Sequence, residues 1–285
     1  MIDYNTSDDE PVTIVPPTAE AVPALFDSPH SGSFYPGDFN AAMDLMVLRR
    51  MEDAFVDELY AAAPGFGATL IAARFPRGYV DPNRGELDID PDAVDGWTGP
   101  AKPTEKSRVG KGLIWTQLHG TAPLYDRKLT GEEVGKRIDD YWRPYHAAVE
   151  AAYAGLHERF GRVYHVDCHS MRAMGNAFDP DGEKARPDFV VSNHDGASCE
   201  PAFLDLVVES LRAHGHDVSV NDPYKGAELT SRYADPAQGR HALQIEINRR
   251  LYMDEQTIEK NAGYDTLHGQ LTELARQVCA FAARS

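Results

Sequence analysis

The stretch Arg162-Val163-Tyr164-His165-Val166-Asp167-Cys168-His169-Ser170 (residues 162–170) gives the strongest indication of fold and site in this chain. Its apolar part, 162–166, predicts a buried strand, and the polar residues that follow predict a turn carrying His169. The same arrangement occurs earlier, where the run 21–26 leads into Ser28-Pro29-His30-Ser31-Gly32. Open α/β sheets bind ligands where their strands end. We therefore expect both imidazoles at one edge of a sheet, as in a metal site.

A third apolar run, Gln244-Ile245-Glu246-Ile247-Asn248-Arg249, places a carboxylate inside another predicted strand. An unpaired charge buried there would be costly. Because side chains alternate along a strand, Glu246 points away from the face of both isoleucines. We predict that Glu246 is a general base beside a metal centre. The alternative is a structural ion pair with Arg249 or Arg250.

Strands and helices alternate along the chain, which predicts an α/β fold with a mostly parallel sheet covered by helices on both faces. The predicted strands are 21–26, 68–73, 162–166, 189–192, 218–220 and 242–248. Helices are predicted at 44–63, at 131–160 with a break or kink at Pro144, at 200–214 and near the C-terminus, where Leu267, Leu271, Leu274 and Val278 recur at helical spacing.

The chain is organised as a solvated N-terminal leader, residues 1–20, followed by a single catalytic domain, residues 21–285. The leader is assigned from its Asp, Pro and Thr content. Residues 85–112 carry Gly, Pro and charged residues without periodicity, which predicts a long excursion of the kind that covers a site.

Composition excludes several classes of function. The net charge of −17 argues against nucleic acid or an anionic membrane as partner, because phosphate binding needs clustered Lys and Arg. No apolar run reaches the roughly 18 residues of a membrane span, and the start lacks the features of a signal peptide. Three scattered cysteines do not make a disulfide framework or a cysteine zinc site. We expect a cytoplasmic protein, in which an anionic substrate needs a local cluster of arginines.

Two neutral imidazoles and one carboxylate are the usual protein ligands of a catalytic zinc ion. His30 and His169 supply the nitrogens, and the predicted helix after His30 offers Glu52 and Asp53, between which helical periodicity does not choose. Asp167 is placed to orient His169 from outside the metal shell. His165 is interpreted as packed, and His194 is a weaker alternative ligand.

Arg77 and the turn Asp81-Pro82-Asn83-Arg84 form a basic, amide-bearing segment. A guanidinium can bind a carboxylate through two parallel hydrogen bonds, and an adjacent Asn adds a neutral donor. This pattern favours recognition of a small acidic molecule. The alternative is a solvated loop with a salt bridge to Asp81.

Together these segments resemble the N-formylglutamate amidohydrolase family, the deformylases of histidine breakdown, from about Val22 to Glu255. The motifs that carry the resemblance follow the family's order: Ser28-Pro29-His30-Ser31-Gly32, Asp81-x-Asn83-Arg84, Asp167-Cys168-His169-Ser170-Met171, Asn221-Asp222-Pro223-Tyr224-Lys225-Gly226 and 244–253. The resemblance implies a phosphorylase/hydrolase-like three-layer fold with a mixed, mostly parallel central sheet. It also implies a kinship with zinc carboxypeptidases and aspartoacylase-type deacylases.

By resemblance, the metal ligands are His30, Asp53 and His169, and the metal is Zn²⁺, although the same ligands would accept another divalent transition metal. Glu246 matches the base, and Asn83 with Arg84 resembles a carboxylate-binding pair.

The implied reaction is hydrolysis of N-formyl-L-glutamate to L-glutamate and formate, with Arg77 stabilising the oxyanion. A second substrate carboxylate needs a second cation, for which Arg172, Lys225 and Arg249 are candidates.

The alternative functions are a deacylase of another N-acyl amino acid, a carboxypeptidase-like hydrolase, or a non-catalytic small-molecule-binding protein on the same scaffold. The expected partner is a small anionic N-acyl amino acid, and the sequence leaves the oligomeric state open.

Overall fold

The computed structural model describes residues 10–118, 122–177, 179 and 181–285. Within them, a central sheet is formed by β1 (Val12–Val15), β2 (Ala24–Ser28), β3 (Thr69–Ala73), β4 (Val163–Met171), β5 (Phe189–Ser192), β6 (Val218–Val220) and β7 (Arg240–Asn248). Their spatial order is β1-β3-β2-β4-β7-β5-β6. Strand β1 pairs antiparallel with β3, and β5 pairs antiparallel with β7. The other neighbours are parallel, which confirms the mixed, mostly parallel sheet.

The helices are α1 (Leu45–Arg49), α2 (Val56–Leu59), α3 (Glu105–Arg108), α4 (Gly131–Arg137), α5 (Arg143–Phe160), α6 (Pro201–Ala213), α7 (Glu228–Tyr233) and α8 (Tyr264–Ala282). A π-helical segment, Ile138–Trp142, joins α4 to α5, so the helical path is interrupted just before Pro144. Short 3-10 turns occupy Ala63–Phe66, Pro91–Ala93, Pro236–Gln238 and Arg249–Leu251. Two-residue ladders join 94–95 to 129–130, 117–118 to 122–123, and 253–254 to 259–260.

Two cores lie on opposite faces of the sheet and complete a three-layer structure. Helices α2, α6 and α8 pack with Phe26, Val166 and Cys168 on one face. Helices α4 and α5 pack with Leu25 and Ile71 on the other. In the described residues, no helix combines the length and apolar character needed to cross a membrane.

The N-terminal part of the chain differs from the sequence predictions in two respects. The assignment of residues 1–20 to a solvated leader is wrong for Val12–Val15, because this β-branched segment pairs with β3 and extends the sheet; residues 1–9 lie outside the described part. The single helix predicted over 44–63 is also wrong. Helices α1 and α2 are separated by a turn in which Phe55 adopts a left-handed conformation (φ 67°).

Strand β4 is longer than predicted and places the polar residues by alternation. It runs to Met171, so His169 lies within the strand and not in a turn after it. Val166 and Cys168 enter one core, whereas Asp167 and His169 point to the opposite face. Glu246 on β7 is the register partner of His169. The central strands therefore present a buried polar surface near their carboxyl ends.

Candidate metal centre and active site

His30 and Asp53 are brought together by the turn that interrupts the helical region after β2. His30 follows the end of β2, and the Asp53 amide donates a hydrogen bond to the His30 carbonyl (2.9 Å). This bond fixes the Asp53 side chain beside the imidazole, with Asp53 Oδ2 at 3.5 Å from His30 Nδ1. Both side chains are buried.

His169 reaches the same point from β4, and its Nδ1 lies 3.1 Å from Asp53 Oδ2. One ligand atom from each of His30, Asp53 and His169 lies within 4.8 Å of the others. Glu52, the alternative carboxylate, instead accepts a hydrogen bond from the Tyr35 hydroxyl (2.7 Å). The structure therefore selects Asp53 as the carboxylate of the cluster.

Each imidazole is oriented by a second carboxylate on the side away from Asp53. His30 Nε2 lies 2.7 Å from Asp81 Oδ1, and His169 Nε2 lies 2.7 Å from Asp167 Oδ1. Such contacts hold the imidazole of a metal-ligating histidine in place through its other nitrogen. Asp167 lies beside His169 as expected for an orienting residue, whereas Asp81 was expected only as a partner of the neighbouring arginines.

This donor set fits a divalent metal ion. His30 Nδ1 is buried and has no hydrogen-bond partner among the described residues, although an orphaned buried nitrogen is costly. It faces Asp53 Oδ2, as His169 Nδ1 does, while the Nε2 atoms are held by carboxylates. Two imidazole nitrogens and a carboxylate oxygen that converge in this way are the protein ligands of a catalytic zinc site.

Their neighbours keep Asp53 and Asp81 ionised. Burial opposes ionisation of Asp53, but the adjacent His169 and His30 side chains and the charge of Arg249 hold its pKa well below its usual range. Burial also opposes ionisation of Asp81, whose pKa is lowered by the charges of Arg77 and His30. Asp53 and Asp81 are therefore negatively charged at neutral pH, as the binding of a cation requires.

Glu246 lies in the same cavity and has the opposite pKa shift, because burial raises the pKa of its carboxyl group. Its Oε1 accepts a hydrogen bond from Gln244 Nε2 (2.9 Å). The alternative of an ion pair with Arg249 or Arg250 is wrong, because Arg249 pairs with Asp53 and Arg250 with Asp188. A half-buried carboxylate of raised pKa beside a metal site is suited to proton transfer near neutral pH.

The cavity has a volume of about 400 Å³, and Arg77, Asn83 and Arg84 line it. Arg77 pairs with Asp81 (3.0 Å) and lies over the Trp115 ring. Asn83 points toward the sheet, with its Nδ2 3.0 Å from His169 Nε2 and its Oδ1 accepting from the Leu229 amide (2.9 Å). The alternative of a solvated loop is therefore wrong, because the salt bridge between Arg77 and Asp81 lies in the cavity wall.

The Arg84 guanidinium contacts backbone oxygens. It donates to the carbonyls of Lys111 (3.2 Å) and Asn83 (2.9 Å). Its positive charge therefore faces neutral acceptors in the cavity wall.

The three candidates for the second substrate cation differ in their surroundings. Arg249 is buried and donates to Asp53 Oδ1 (2.9 Å), Ser170 Oγ (3.1 Å) and the Arg50 carbonyl (3.0 Å). Arg249 also lines the cavity, so its role as a substrate-binding cation stays a prediction, while its bond to Asp53 suits it to position that carboxylate. Arg172 pairs with Asp179, and the exposed Lys225 pairs with Asp195; both line the cavity.

Two other histidines are not ligands of this cluster. His194 Nε2 lies 2.8 Å from Thr230 Oγ1, so its interpretation as an alternative ligand is wrong. His165 is buried as expected, with Nε2 2.6 Å from Asp27 Oδ1 and Nδ1 3.0 Å from the Tyr153 hydroxyl.

Two cavity residues, Lys106 and Lys111, were not singled out in the sequence. They belong to the excursion at 85–112, which was expected to lie over the site and which contributes these two side chains to the cavity wall. Their spacing matches no motif, and only the path of the chain brings them to the cavity.

The fold and this site define an α/β protein with a candidate metal centre of two histidines and one aspartate. The family model for N-formylglutamate amidohydrolase matches residues 22–253. The chain therefore belongs to the N-formylglutamate amidohydrolase family.

Individual relatives agree with this placement. The N-formylglutamate deformylase of Pseudomonas putida is 31% identical over 242 residues, which cover 82% of this chain and 83% of the relative. The protein of the same name from Pseudomonas aeruginosa is 31% identical over 241 residues, covering 82% and 84%. The crystal structure of N-formylglutamate amidohydrolase from Ralstonia eutropha JMP134 is 47% identical, with a TM-score of 0.92 over 96% of this chain and 99% of that one.

Proposed function

We propose that this protein is a metal-dependent amidohydrolase that cleaves N-formyl-L-glutamate to L-glutamate and formate. The observation that carries the proposal is the meeting of His30, Asp53 and His169 with the half-buried carboxyl group of Glu246 in one cavity. Membership of the N-formylglutamate amidohydrolase family supports the choice of substrate.

His30, Asp53 and His169 would hold the metal, and we propose Zn²⁺, with other divalent transition metals able to use the same ligands. A metal ion in such a site lowers the pKa of a water molecule toward about 7 and polarises a carbonyl oxygen. Asp81 and Asp167 keep the two imidazoles turned toward Asp53.

Glu246 supplies the proton transfers. Its carboxylate accepts a proton from the attacking water as the water oxygen bonds to the formyl carbon. The resulting carboxylic acid then donates this proton to the nitrogen as the carbon–nitrogen bond breaks, so that the free amine and formic acid leave, and the formic acid ionises to formate. The raised pKa of Glu246 suits both halves of this cycle.

Positive groups in the cavity wall bind the anionic parts of the substrate. Arg77 is held by Asp81 and Trp115 and can stabilise negative charge that develops on the formyl oxygen. Arg84 is the proposed partner of the substrate α-carboxylate, assisted by Asn83. We keep the expectation of a small anionic N-acyl amino acid as the partner, without nucleic acid or membrane, in the cytoplasm.

The first test is Glu246→Gln, which keeps the shape of the side chain but removes the base. Formate release should fall by about 10²- to 10⁴-fold while the variant retains its bound metal, measured by elemental analysis. The matched control is Glu209→Gln, an exposed position on α6, which should leave the rate unchanged. Full activity of Glu246→Gln with metal bound would exclude Glu246 as the base.

A further inference from the structure

One wall of the cavity is formed by a tightly held segment, residues 104–115, that contains Lys106 and Lys111. The Thr104 side chain caps α3 by accepting from the Lys106 amide, and Thr104 also donates to the carboxylate of Asp88 through its amide (2.9 Å) and its hydroxyl (3.1 Å). The Lys111 amide donates to the Lys106 carbonyl (2.8 Å), and Lys111 forms a β-bridge with Trp115. The backbones of the two lysines are thus fixed side by side.

The ammonium groups of these lysines have no ion pair or hydrogen bond within the part of the chain that the structure describes. Both residues line the cavity, where Lys106 is exposed to solvent and Lys111 is half-buried. Burial lowers the pKa of Lys106, and the charge of Arg84 lowers it further. Burial also lowers the pKa of Lys111, with Lys106 among the cations that add to the effect. Like charges on one wall of a cavity repel each other unless an anion binds between them.

The surrounding ionic groups have other partners. Asp179, the acid that most favours the charged form of both lysines, pairs with Arg172 and Arg186. Arg84 is tied to this wall through the Lys111 carbonyl. Arg84, Lys106 and Lys111 therefore make a positive corner of the cavity in which, among the described residues, no carboxylate lies within ion-pair distance of any of the three. This corner is unusual in a chain of net charge −17.

We propose that Lys106 and Lys111 bind the side-chain carboxylate of the substrate and so determine specificity for an N-acyl dicarboxylic amino acid. The inference rests on the proposed function, in which Arg84 binds the α-carboxylate. A neutral side chain leaves two ammonium groups without a counter-charge in a partly desolvated wall, and a site that loses its ionic partner in this way discriminates strongly. The lysines thus complete the pair of cations that a dicarboxylate requires.

The test compares N-formyl-L-glutamate with N-formyl-L-glutamine, which has the same shape and α-carboxylate but a neutral side chain. The variants are Lys106→Met, Lys111→Met and the double variant, and the matched control is Lys102→Met, an exposed lysine of the same excursion. We expect the preference for the glutamate substrate, as a ratio of kcat/KM, to fall by about 10-fold in each single variant and about 100-fold in the double variant. In the Lys106 and Lys111 variants, KM should rise for N-formyl-L-glutamate but not for N-formyl-L-glutamine. In Lys102→Met, the ratio of the two kcat/KM values should equal that of the wild type.

An equal loss for both substrates, or an unchanged ratio in the double variant, would overturn the proposal.

A binding measurement separates failure of the lysine site from failure of the proposed reaction. Calorimetric titration with N-acetyl-L-glutamate and N-acetyl-L-glutamine needs no turnover. A preference for the dicarboxylate that disappears in the double variant supports the lysine site even if the wild-type protein releases no formate. An equal affinity of the wild-type protein for both ligands overturns it.

Discussion

His146 gives the stability of this protein a pH dependence that can be calculated from its surroundings. The ring is buried on α5, where it stacks on Trp142 with centroids 3.8 Å apart. Its Nε2 donates to the Pro82 carbonyl (2.8 Å), and its Nδ1 accepts from the Tyr233 hydroxyl (2.8 Å). His146 therefore supports the turn that presents Asn83 to the site. Burial lowers its pKa to about 4.

The direction of the effect follows from proton binding. An unfolded chain protonates this histidine near its ordinary pKa of about 6.5, whereas the folded protein does not until about pH 4. The unfolded state thus binds the extra proton, and stability is lost as the pH falls from about 6.5 toward 4. Since a tenfold change in proton affinity corresponds to about 1.4 kcal/mol, this ring alone should reduce the free energy of unfolding by about 2 kcal/mol between pH 8 and pH 5.

The assay is urea unfolding of the wild-type protein and His146→Gln at both pH values. The variant cannot titrate, so its loss of stability between pH 8 and pH 5 should be smaller than that of the wild type by about 2 kcal/mol. Ala151→Gln, at an exposed position of the same helix, adds no titrating group and should keep the wild-type pH dependence. Equal losses in the wild type and His146→Gln would show that the folded protein protonates His146 as readily as the unfolded chain does.

Two further substitutions test other contacts. Arg249→Met leaves the buried Asp53 without its cation and should lower the unfolding free energy of the metal-free protein by about 3–5 kcal/mol. Arg250→Met, which removes the exposed partner of Asp188, is the control. A loss of less than about 1 kcal/mol in Arg249→Met would contradict its positioning role. Thr130→Ala removes the N-cap that bonds the Glu133 amide and should cost about 1 kcal/mol in denaturant unfolding, whereas an unchanged midpoint would show that α4 does not depend on this cap.

The sequence was sufficient to predict the parts of the site that depend on strand alternation. Glu246 points away from its isoleucine neighbours, and Asp167 lies beside His169, because both follow from a two-residue repeat. The edge strand at Val12–Val15 was missed although its β-branched residues are typical of a strand. Its acidic, proline-rich surroundings suggested a leader instead.

Other features depend on contacts between distant parts of the chain. Helical periodicity could not choose between Glu52 and Asp53 because this segment is a turn and not a helix. The partner of Arg249 is Asp53, 196 positions away, so the local sequence could not show that this guanidinium is paired with a carboxylate of the cluster. Lys106 and Lys111 are likewise brought to the site only by the path of the excursion.

Metal-dependent deformylation can be measured as formate release from N-formyl-L-glutamate, in one preparation together with its metal content. N-acetyl-L-glutamate and N-acetyl-L-aspartate serve as parallel substrates, followed by detection of the free amine. We expect formate release that chelation abolishes and that added Zn²⁺ restores, with loss of metal binding in His30→Ala. Formate release that persists after complete metal removal, or a metal-loaded protein that turns over only an acetyl substrate, would contradict this expectation.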